Sequence, residues 1–219
     1  MKNALILLAG GISSRTNSEI PKQFVEVDGT PIFVNSILPF IDYVDVIAVS
    51  CTKDYIEYVE SILSNNFKNK KIIVVEGGKT GLESTLNGFN SLKEISNLDY
   101  VFIHDAARPF LSKGTIDNCL EGLINKDYVF SSAKMCESVF NSSAKTVEKK
   151  DNLYRIMSPH AFRYNFLKNL LQNANETNEP TIFNYMMKEN FEVNVVETDE
   201  TNFKITTSKQ LEFAVKLLK

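Results

Sequence analysis

The segment after the first apolar run of the chain combines glycines, serines and cations in a pattern suited to phosphate. It reads Ala9-Gly10-Gly11-Ile12-Ser13-Ser14-Arg15, and Pro21-Lys22-Gln23-Phe24 follows shortly afterwards. Glycines let the backbone approach a ligand closely and expose its N–H groups, serines add hydroxyl donors, and Arg15 and Lys22 supply positive charge. The combination predicts a loop that binds phosphate groups. The alternative is a plain strand-to-helix turn with two solvated cations.

Two familiar phosphate-binding motifs are absent from this segment. The dinucleotide fingerprint Gly-x-Gly-x-x-Gly does not occur, and no Gly-Lys-Ser/Thr follows four variable residues as it does in a P-loop. Hydride transfer and ordinary ATPase chemistry therefore lose support. The remaining interpretation is a loop that holds a nucleoside triphosphate while another group attacks it.

A second group of candidate residues follows the fourth apolar run, in His104-Asp105-Ala106-Ala107-Arg108-Pro109-Phe110. A carboxylate at that point faces the ligand site of a doubly wound sheet. Asp105 is therefore a candidate magnesium ligand, because Mg²⁺ usually takes one or two carboxylates together with substrate phosphates and water. The alternative is that Asp105 pairs with Arg108 or caps the following turn. We interpret His104 as a structural histidine.

Alternating apolar runs and amphipathic stretches must position these groups. Four β-branched, apolar runs are typical of buried parallel strands: residues 4–9, 44–50, 71–76 and 100–104. Two stretches between them carry apolar side chains at helical spacing: residues 53–63 and 81–95. The pattern predicts an α/β protein with an open, doubly wound, mostly parallel sheet. The ligand site of such a sheet lies at the carboxyl ends of its strands.

The second half of the chain continues with further elements and one excursion from the sheet. The polar, β-prone stretch over about 137–155 contains Asn141-Ser142-Ser143, which has turn chemistry, so we interpret it as a projecting β-arm. The other elements predicted here are helices over 112–125, 164–172 and 208–218, strands over 128–133 and 191–197, and a loop over 173–180. No repeat or clear linker divides the chain, which predicts one domain over residues 1–219.

Composition excludes several classes of protein. Lys+Arg number 24 and Asp+Glu 27, giving a net charge of −3, so the basic excess that nucleic-acid binding requires is missing. The early apolar run is far shorter than the roughly 20 residues that span a bilayer, and no signal peptide is recognisable, which predicts a cytoplasmic protein without membrane association. Cys51, Cys119 and Cys136 lack any CxxC spacing, which favours buried small hydrophobes over a disulfide framework or a zinc site.

Taken together, the motifs resemble those of the 2-C-methyl-D-erythritol 4-phosphate cytidylyltransferase family, which also includes ribitol-5-phosphate cytidylyltransferases. The resemblance rests on the glycine segment, on the segment 104–110 and on Asn202-Phe203-Lys204-Ile205-Thr206-Thr207, in that order. It covers essentially the whole chain. It implies a Mg²⁺-dependent enzyme that transfers CMP from CTP to a polyol phosphate and releases pyrophosphate. It also implies a homodimer formed through the β-arm.

The same resemblance implies a role for individual residues. Three positively charged residues are expected to be catalytic: Arg15, Lys22 and Lys204. The nucleotide is expected to contact two loops and the magnesium ligand: Ala9, Gly10, Gly11, Ser13, Ser14, Gly78, Ser84 and Asp105. The acceptor is expected to contact Arg108, Ser138, Lys150 and Lys204, of which Lys150 would reach into the site of the other subunit. The alternatives are a helix-capping role for Ser84 and a solvated turn position for Lys150.

Three positions depart from the pattern of the family. Ser13 replaces a glycine, Gly81 stands where an arginine is common, and Asn184 stands where an aspartate is common. Asn184 removes a charge but keeps a hydrogen-bond acceptor, and the neighbouring Phe183 and Tyr185 make that wall bulkier. The acceptor therefore stays open between methylerythritol phosphate, ribitol phosphate and a related polysaccharide precursor. Two competing functions also stay open: a sugar-phosphate nucleotidyltransferase with another base, and a CTP-binding module without catalysis.

Overall fold

The central sheet has seven strands in a computed structural model that describes residues 1–11 and 20–219. The strands within these ranges are β1 (Asn3–Ala9), β2 (Glu26–Val27), β3 (Thr30–Pro31), β4 (Val46–Cys51), β5 (Lys71–Glu76), β6 (Tyr100–Asp105), β7 (Tyr128–Lys134), β8 (Val139–Asn141), β9 (Thr146–Glu148), β10 (Tyr154–Arg163) and β11 (Val195–Glu197). The α-helices are α1 (Ile32–Ile37), α2 (Ile56–Asn66), α3 (Gly81–Ser91), α4 (Lys113–Asn125), α5 (Tyr164–Leu170), α6 (Ile182–Lys188) and α7 (Ser208–Leu218). Short 3-10 turns cover Lys22–Phe24, Leu38–Phe40, Lys53–Tyr55, Lys150–Asn152 and Leu171–Glu176.

The order of the sheet is β11-β7-β10-β6-β1-β4-β5. Strand β1 pairs in parallel with β4 and β6, and β4 pairs in parallel with β5, so the four predicted apolar strands lie side by side. Strand β10 is antiparallel to both of its neighbours, β6 and β7. The predicted open, mostly parallel sheet is therefore confirmed, with β10 as its reversed strand. Because β1 and β6 end next to each other, the residues that follow them meet at one edge.

Both faces of the sheet are covered, which explains why its central strands are apolar throughout. Alternate residues of β1 point to opposite sides: Leu5 and Leu7 join a core with α2 and α4, whereas Ala4 and Ile6 join a core with α3. Helices α5 and α6 complete the second core. No helix in the described ranges is long and apolar enough to cross a membrane.

The predicted hairpin of the β-arm is confirmed, whereas its predicted C-terminal end near residue 155 is wrong. Strands β8 and β9 form a two-stranded sheet separate from the central one. The Asn141 side chain accepts hydrogen bonds from the backbone N–H groups of Ser143 (3.1 Å) and Ala144 (3.0 Å), which is the turn chemistry expected of asparagine. Residues 154–155 instead begin β10, because they pair with β7 in the central sheet.

Three further predictions need correction. The predicted strand over 191–197 is confined to β11, since Phe191 packs against Tyr128 and Phe166 instead of joining the sheet. The loop predicted over 173–180 starts within a 3-10 turn. Cys51 and Cys119 are buried as expected, but Cys136 is exposed, because it lies between β7 and the hairpin and outside the core.

Candidate active site

A cavity of about 510 Å³ opens at the edge of the sheet where β1 and β6 end. Its walls come from the glycine segment after β1, the start of α3, the end of β6, the middle of β10, the start of α6 and the segment that carries Lys204. This is the position expected for a ligand site in an open α/β sheet. The cavity joins the glycine loops to a cluster of charged side chains.

The glycine segment is tethered by Gln23, a residue to which the sequence motifs assign no role. The buried Gln23 side chain donates hydrogen bonds to the backbone oxygens of Ala9 (2.7 Å) and Gly11 (3.0 Å). Gly10 and Gly11 line the cavity. Because both carbonyls point towards Gln23, this side chain fixes the path of the loop. The signal is present in the Pro21-Lys22-Gln23-Phe24 segment, where Gln23 supplies a two-donor amide.

Several predicted residues of this segment lie outside the described ranges. They are Ser13, Ser14 and Arg15, and their assignment to the triphosphate stays a prediction. Lys22 is described and is only 8% exposed, in a 3-10 turn next to Phe24, whose ring stacks on Tyr55 at 4.2 Å. Among the residues described, Lys22 does not line the cavity. Its catalytic role therefore also stays a prediction.

A second glycine loop, between β5 and α3, faces the first. The Ser84 hydroxyl accepts a hydrogen bond from the Gly78 N–H (3.0 Å) and donates one to the Thr80 carbonyl (2.9 Å). Thr80, not Ser84, caps α3, since its side chain accepts from the Glu83 N–H at 3.1 Å. The capping role considered for Ser84 is thus wrong, and its hydroxyl shapes the loop. The predicted contact of Ser84 with a nucleotide stays a prediction.

Gly78 has a steric reason to be glycine. A Cβ added there would overlap the Glu83 Cβ and lie 3.0 Å from the Glu83 carbonyl carbon. Any side chain would therefore push the loop away from α3. Both Gly78 and Ser84 line the cavity, as expected for residues predicted to contact the nucleotide.

The charged cluster is built around Asp105 at the end of β6. Its Oδ1 lies 2.7 Å from Lys204 Nζ, and its Oδ2 accepts a hydrogen bond from Arg108 Nε at 2.9 Å. Burial by itself raises the pKa of Asp105, but the charges of Lys204 and Arg108 outweigh burial and hold that pKa well below its usual range. The carboxylate is ionised, and the cluster carries a net positive charge. The pairing of Asp105 with Arg108 that was considered from the sequence is present, together with the Lys204 contact.

One side chain and one backbone carbonyl hold this cluster in place. The buried Ser158 hydroxyl lies 3.0 Å from His104 Nδ1, accepts from the Asp105 N–H (3.1 Å) and approaches Asp105 Oδ2 at 3.3 Å. The Arg108 guanidinium donates from Nη1 to the Asn202 carbonyl at 2.8 Å. Ser158 carries no signal in the sequence because it follows the arm, far from both predicted motifs. Its contribution arises only because β10 pairs with β6.

His104 has the structural role predicted for it. Its Nδ1 faces Ser158, its Nε2 lies 3.2 Å from the Arg108 carbonyl oxygen, and its ring packs on Phe40 at 5.2 Å. Burial lowers the pKa of His104 to about 3, so the ring is neutral at physiological pH. Both ring nitrogens are engaged within the protein. The geometry leaves His104 no part as a general base.

The predicted metal ligand is a single carboxylate. The residues described contain no group of three or more His, Cys, Asp or Glu side chains that could hold a metal ion. Asp105 can serve a magnesium ion whose other ligands are phosphate oxygens and water, which is the usual coordination of Mg²⁺ beside a nucleotide. This fit requires Lys204 to leave Asp105 Oδ1 when the ion enters.

The two predicted arm residues lie away from this cluster. Ser138 precedes β8 and Lys150 opens a 3-10 turn after β9, and both are exposed. Neither belongs to the described lining of the cavity. A role for them at an active site therefore requires the site of another subunit.

The two departures near the cavity adjoin each other in space. The Leu82 N–H donates to the Pro180 carbonyl at 3.2 Å, and a Cβ on Gly81 would lie 3.0 Å from that same oxygen. Asn184 belongs to the cap of α6, where its N–H donates to Thr181 Oγ1 (3.2 Å) and its Oδ1 accepts from that hydroxyl (2.6 Å). The starts of α3 and α6 thus form one wall. Gly81 allows the Pro180 segment to approach α3 closely.

Comparison with known proteins identifies the family. The family model described as 2-C-methyl-D-erythritol 4-phosphate cytidylyltransferase matches residues 3–219. The chain belongs to this family. The family predicted from the motifs is confirmed, and the protein is accordingly an enzyme of the nucleotidyltransferase class.

Relatives of this cytidylyltransferase family match the chain along most of its length. The 2-C-methyl-D-erythritol 4-phosphate cytidylyltransferase of Lachnospira eligens is 31% identical over 229 residues, covering 99% of each chain. The bifunctional enzyme IspD/IspF of Wolbachia pipientis is 31% identical over 220 residues, and the match covers 97% of this chain but 55% of that protein. The crystal structure of 4-diphosphocytidyl-2C-methyl-D-erythritol synthase from Anaerococcus prevotii has a TM-score of 0.81 at 23% identity, covering 99% and 98% of the two chains. This likeness confirms the fold.

Proposed function

We propose that this protein transfers CMP from CTP to 2-C-methyl-D-erythritol 4-phosphate. The observation that supports the proposal most strongly is the cavity that joins two glycine loops to the cluster of Asp105, Arg108 and Lys204. Such loops suit a triphosphate, and the two cations suit the phosphate of an acceptor. The named activity of the relatives supplies the base and the acceptor.

The proposed reaction is a single displacement at phosphorus. A phosphate oxygen of the acceptor attacks the α-phosphorus of CTP, and the bond from that phosphorus to the oxygen bridging to the β-phosphate breaks. Pyrophosphate leaves with the electron pair, and the product is a CDP-polyol. The attacking oxygen is already anionic, so no base is needed, in keeping with the neutral, fully bonded His104.

Bringing two anionic phosphates into contact is the physical difficulty of this reaction. Positioning two reactants for attack is worth about 7–11 kcal/mol, and charge stabilisation in a closed site adds to that. In the proposal, Lys204 and Arg108 bind the acceptor phosphate, while the N–H groups of the glycine segment after β1 bind the triphosphate. Arg15 and Lys22 add charge at the leaving pyrophosphate. Without the ion, Asp105 orients both cations through its two oxygens, and the Arg108 contact with Oδ2 would persist when magnesium takes the place of Lys204 at Oδ1.

Magnesium belongs to the proposal as an ion that arrives with the nucleotide. When bound, it supplies Lewis-acid neutralisation of the triphosphate. Asp105 is the side chain that would hold it. Activity is accordingly expected to disappear when EDTA removes divalent ions, and to return when excess MgCl₂ is added.

A homodimer formed through the β8–β9 hairpin completes the proposal. Phe140 and Val147 lie opposite each other on the hairpin and are 63% and 66% exposed. Large apolar side chains in that position suit a subunit interface. In such a dimer, Ser138 and Lys150 would approach the acceptor in the partner's cavity.

The departure at Asn184 leaves one alternative for the acceptor. Phe183 and Asn184 line the cavity. The amide of Asn184 carries no charge, whereas an aspartate at that position would, and the Phe183 ring adds bulk to the same wall. Ribitol 5-phosphate is therefore the second candidate acceptor. Gly81 and Asn184 together motivate the alternative of a CTP-binding protein without catalysis.

Pyrophosphate release tests the proposal directly. Purified protein is incubated with CTP, MgCl₂ and either 2-C-methyl-D-erythritol 4-phosphate, ribitol 5-phosphate or no acceptor, and UTP replaces CTP as the nucleotide control. The expected result is release that requires CTP and methylerythritol phosphate. Pyrophosphate release with ribitol 5-phosphate alone would identify that compound as the acceptor. Release with UTP alone would identify a different base. CTP binding without any pyrophosphate release would favour the CTP-binding module without catalysis.

A further inference from the structure

His160 differs from the charged cluster and from Ser158 in having a buried ring nitrogen without a hydrogen-bond partner among the described residues. Asp105, Arg108 and Lys204 bond to one another, and Ser158 bonds to His104. The His160 Nδ1, by contrast, is buried and has no hydrogen-bond partner among the described residues. The residue lines the cavity and is partly exposed there. A buried polar atom without a partner in the protein is uncommon and requires an explanation.

The position of the His160 ring is fixed by aromatic packing. His160 lies on β10 directly after the register shift at Met157, opposite Phe130 of β7 and Ile103 of β6. Its ring meets the Phe130 ring edge to face at 4.9 Å, and Phe183 of α6 meets that ring in the same manner at 4.9 Å. The Phe130 ring therefore contacts both the imidazole and α6, and the charges of Asp105, Arg108 and Lys204 act on the imidazole in the same cavity.

The chemistry of the ring points to a neutral ligand group. Burial lowers the pKa of His160 to about 4, since it outweighs the attraction of Asp105, while Arg108 and Lys204 add repulsion. A neutral imidazole offers one N–H donor and one nitrogen acceptor. A hydroxyl group can bond to either ring nitrogen, because it donates to the bare nitrogen and accepts from the protonated one. An ionised phosphate oxygen can bond only to the protonated nitrogen, and the two neighbouring cations already serve phosphate.

We propose that His160 recognises a hydroxyl group of the polyol chain of the acceptor and so contributes to the choice of acceptor. This inference rests on the proposed function, because it assigns the polyol to the cavity beyond Lys204 and Arg108. The residue acts on specificity, while the reacting phosphate is bound by the cations. The Phe130 ring, itself packed against Phe183, keeps the imidazole in one orientation, so that it selects acceptors by the placement of a hydroxyl.

Imidazole nitrogen NMR tests this inference without relying on turnover. The chain contains two histidines, so ¹⁵N-labelled protein gives two rings, and the spectrum of His160→Phe assigns them. The protein is saturated with CTP and Mg²⁺ and titrated with 2-C-methyl-D-erythritol 4-phosphate, with ribitol 5-phosphate in a second titration. The His160 nitrogens are expected to shift and those of His104 to stay in place. Binding of a polyol phosphate that leaves His160 unmoved would overturn the inference.

Kinetics of two variants provide the second measurement. His160→Phe removes both nitrogens, whereas His160→Gln keeps one donor group and one acceptor. For the Phe variant, kcat/KM for the acceptor is expected to fall about tenfold, the effect of one lost hydrogen bond, while the KM for CTP stays the same. The Gln variant is expected to recover most of the loss. Equal kcat/KM for the wild-type and Phe proteins would contradict the inference, and melting curves identify a variant that fails to fold.

The two proposals fail in distinguishable ways. A polyol phosphate that binds and shifts His160 without pyrophosphate release would refute the proposed reaction and support the inference. Turnover that is insensitive to His160→Phe, with an unshifted His160 resonance, would support the reaction and refute the inference. If neither polyol phosphate binds, both are refuted.

Discussion

The Lys204 ammonium lies 2.7 Å from Asp105 Oδ1, although 99 residues separate the two positions in the chain. The contact is held by the backbone as well, because the Ile205 N–H donates to the Ala107 carbonyl at 2.9 Å. The Lys204 side chain is 42% exposed, so its charge is directed by Asp105 while remaining accessible from the cavity. This pair joins two of the motifs that carried the family resemblance into one site.

Replacing Lys204 is expected to remove activity without unfolding the protein. Lys204→Ala should lower kcat/KM by about 100-fold or more, the usual effect of losing a group that stabilises transition-state charge. The stability should change by less than about 1 kcal/mol, because the ion pair is partly exposed. Kinetics and urea unfolding measure the two effects, with the exposed lysine variant Lys209→Ala as control. Wild-type kinetics in Lys204→Ala would contradict the assigned role.

The tether formed by Gln23 predicts a coupled effect on nucleotide binding and stability. Gln23→Met removes the two donors that hold the Ala9 and Gly11 carbonyls. We expect the KM for CTP to rise about tenfold and the unfolding free energy to fall by about 1–3 kcal/mol, because the buried Ala9 carbonyl loses its partner and the Gly11 carbonyl loses its tether. The exposed glutamine variant Gln172→Met is the matched control. A loop that binds CTP unchanged in Gln23→Met would show that the tether is dispensable.

The wall formed by α3 and α6 predicts that a side chain at Gly81 is unfavourable. A Cβ there meets the Pro180 carbonyl at 3.0 Å, whereas a Cβ on Gly114, in the first turn of α4, meets nothing closer than 3.8 Å. Gly114→Ala should be neutral or stabilise the protein by up to about 1 kcal/mol. Gly81→Ala should destabilise it by about 1–3 kcal/mol through overpacking. Urea unfolding of both variants measures the difference, and equal behaviour would refute the steric argument.

The same contact predicts that Gly81→Arg does not restore a useful charge. The arginine must displace the Pro180 segment, whose Pro180 carbonyl also accepts a hydrogen bond from the Leu82 N–H. Tighter CTP binding by Gly81→Arg, measured by calorimetry, would show that the segment moves freely.

The exposed pair on the hairpin predicts the location of the subunit interface. Phe140→Asp combined with Val147→Asp is expected to convert the proposed dimer into a monomer, because two charges would be buried without partners. The central sheet should stay folded, since β8 and β9 form a separate sheet. The control is Thr146→Asp, which places a charge at the next position of the hairpin, where Thr146 pairs with Asn141. Sedimentation velocity measures whether each variant is a dimer or a monomer. A double variant that remains dimeric would exclude this interface.

The lowered pKa values of the two histidines predict that stability falls as the pH is lowered from 7 to 5. Their pKa values are lowered in the folded protein, to about 3 for His104 and about 4 for His160. The unfolded chain takes up protons as the pH falls through about 6.5, whereas the folded protein does not, so each histidine costs roughly 1–2 kcal/mol over this interval. His160→Gln should remove about half of the effect. An unfolding free energy from urea titrations that does not change between pH 7 and 5 would contradict this prediction.

The sequence by itself determined the fold class and the family. The four buried strands follow from runs of apolar, β-branched residues, because strands covered on both faces need apolar side chains at every position. The hairpin turn follows from the side chain of Asn141, which bonds to its own neighbours. These are local signals, and they were sufficient to place the glycine segment and Asp105 at the carboxyl edge of the sheet.

Only the tertiary structure decided how the site is held together. Ser158 and His160 reach the cavity because β10 inserts in reverse between β6 and β7, a pairing that no local pattern encodes. Gly81 is explained by the Pro180 carbonyl, which approaches from a segment about a hundred residues later. Such contacts depend on packing between distant segments, whereas hydrophobic periodicity and turn chemistry act over a few residues. The roles of Ser158, His160 and Gly81 therefore emerge from the folded chain.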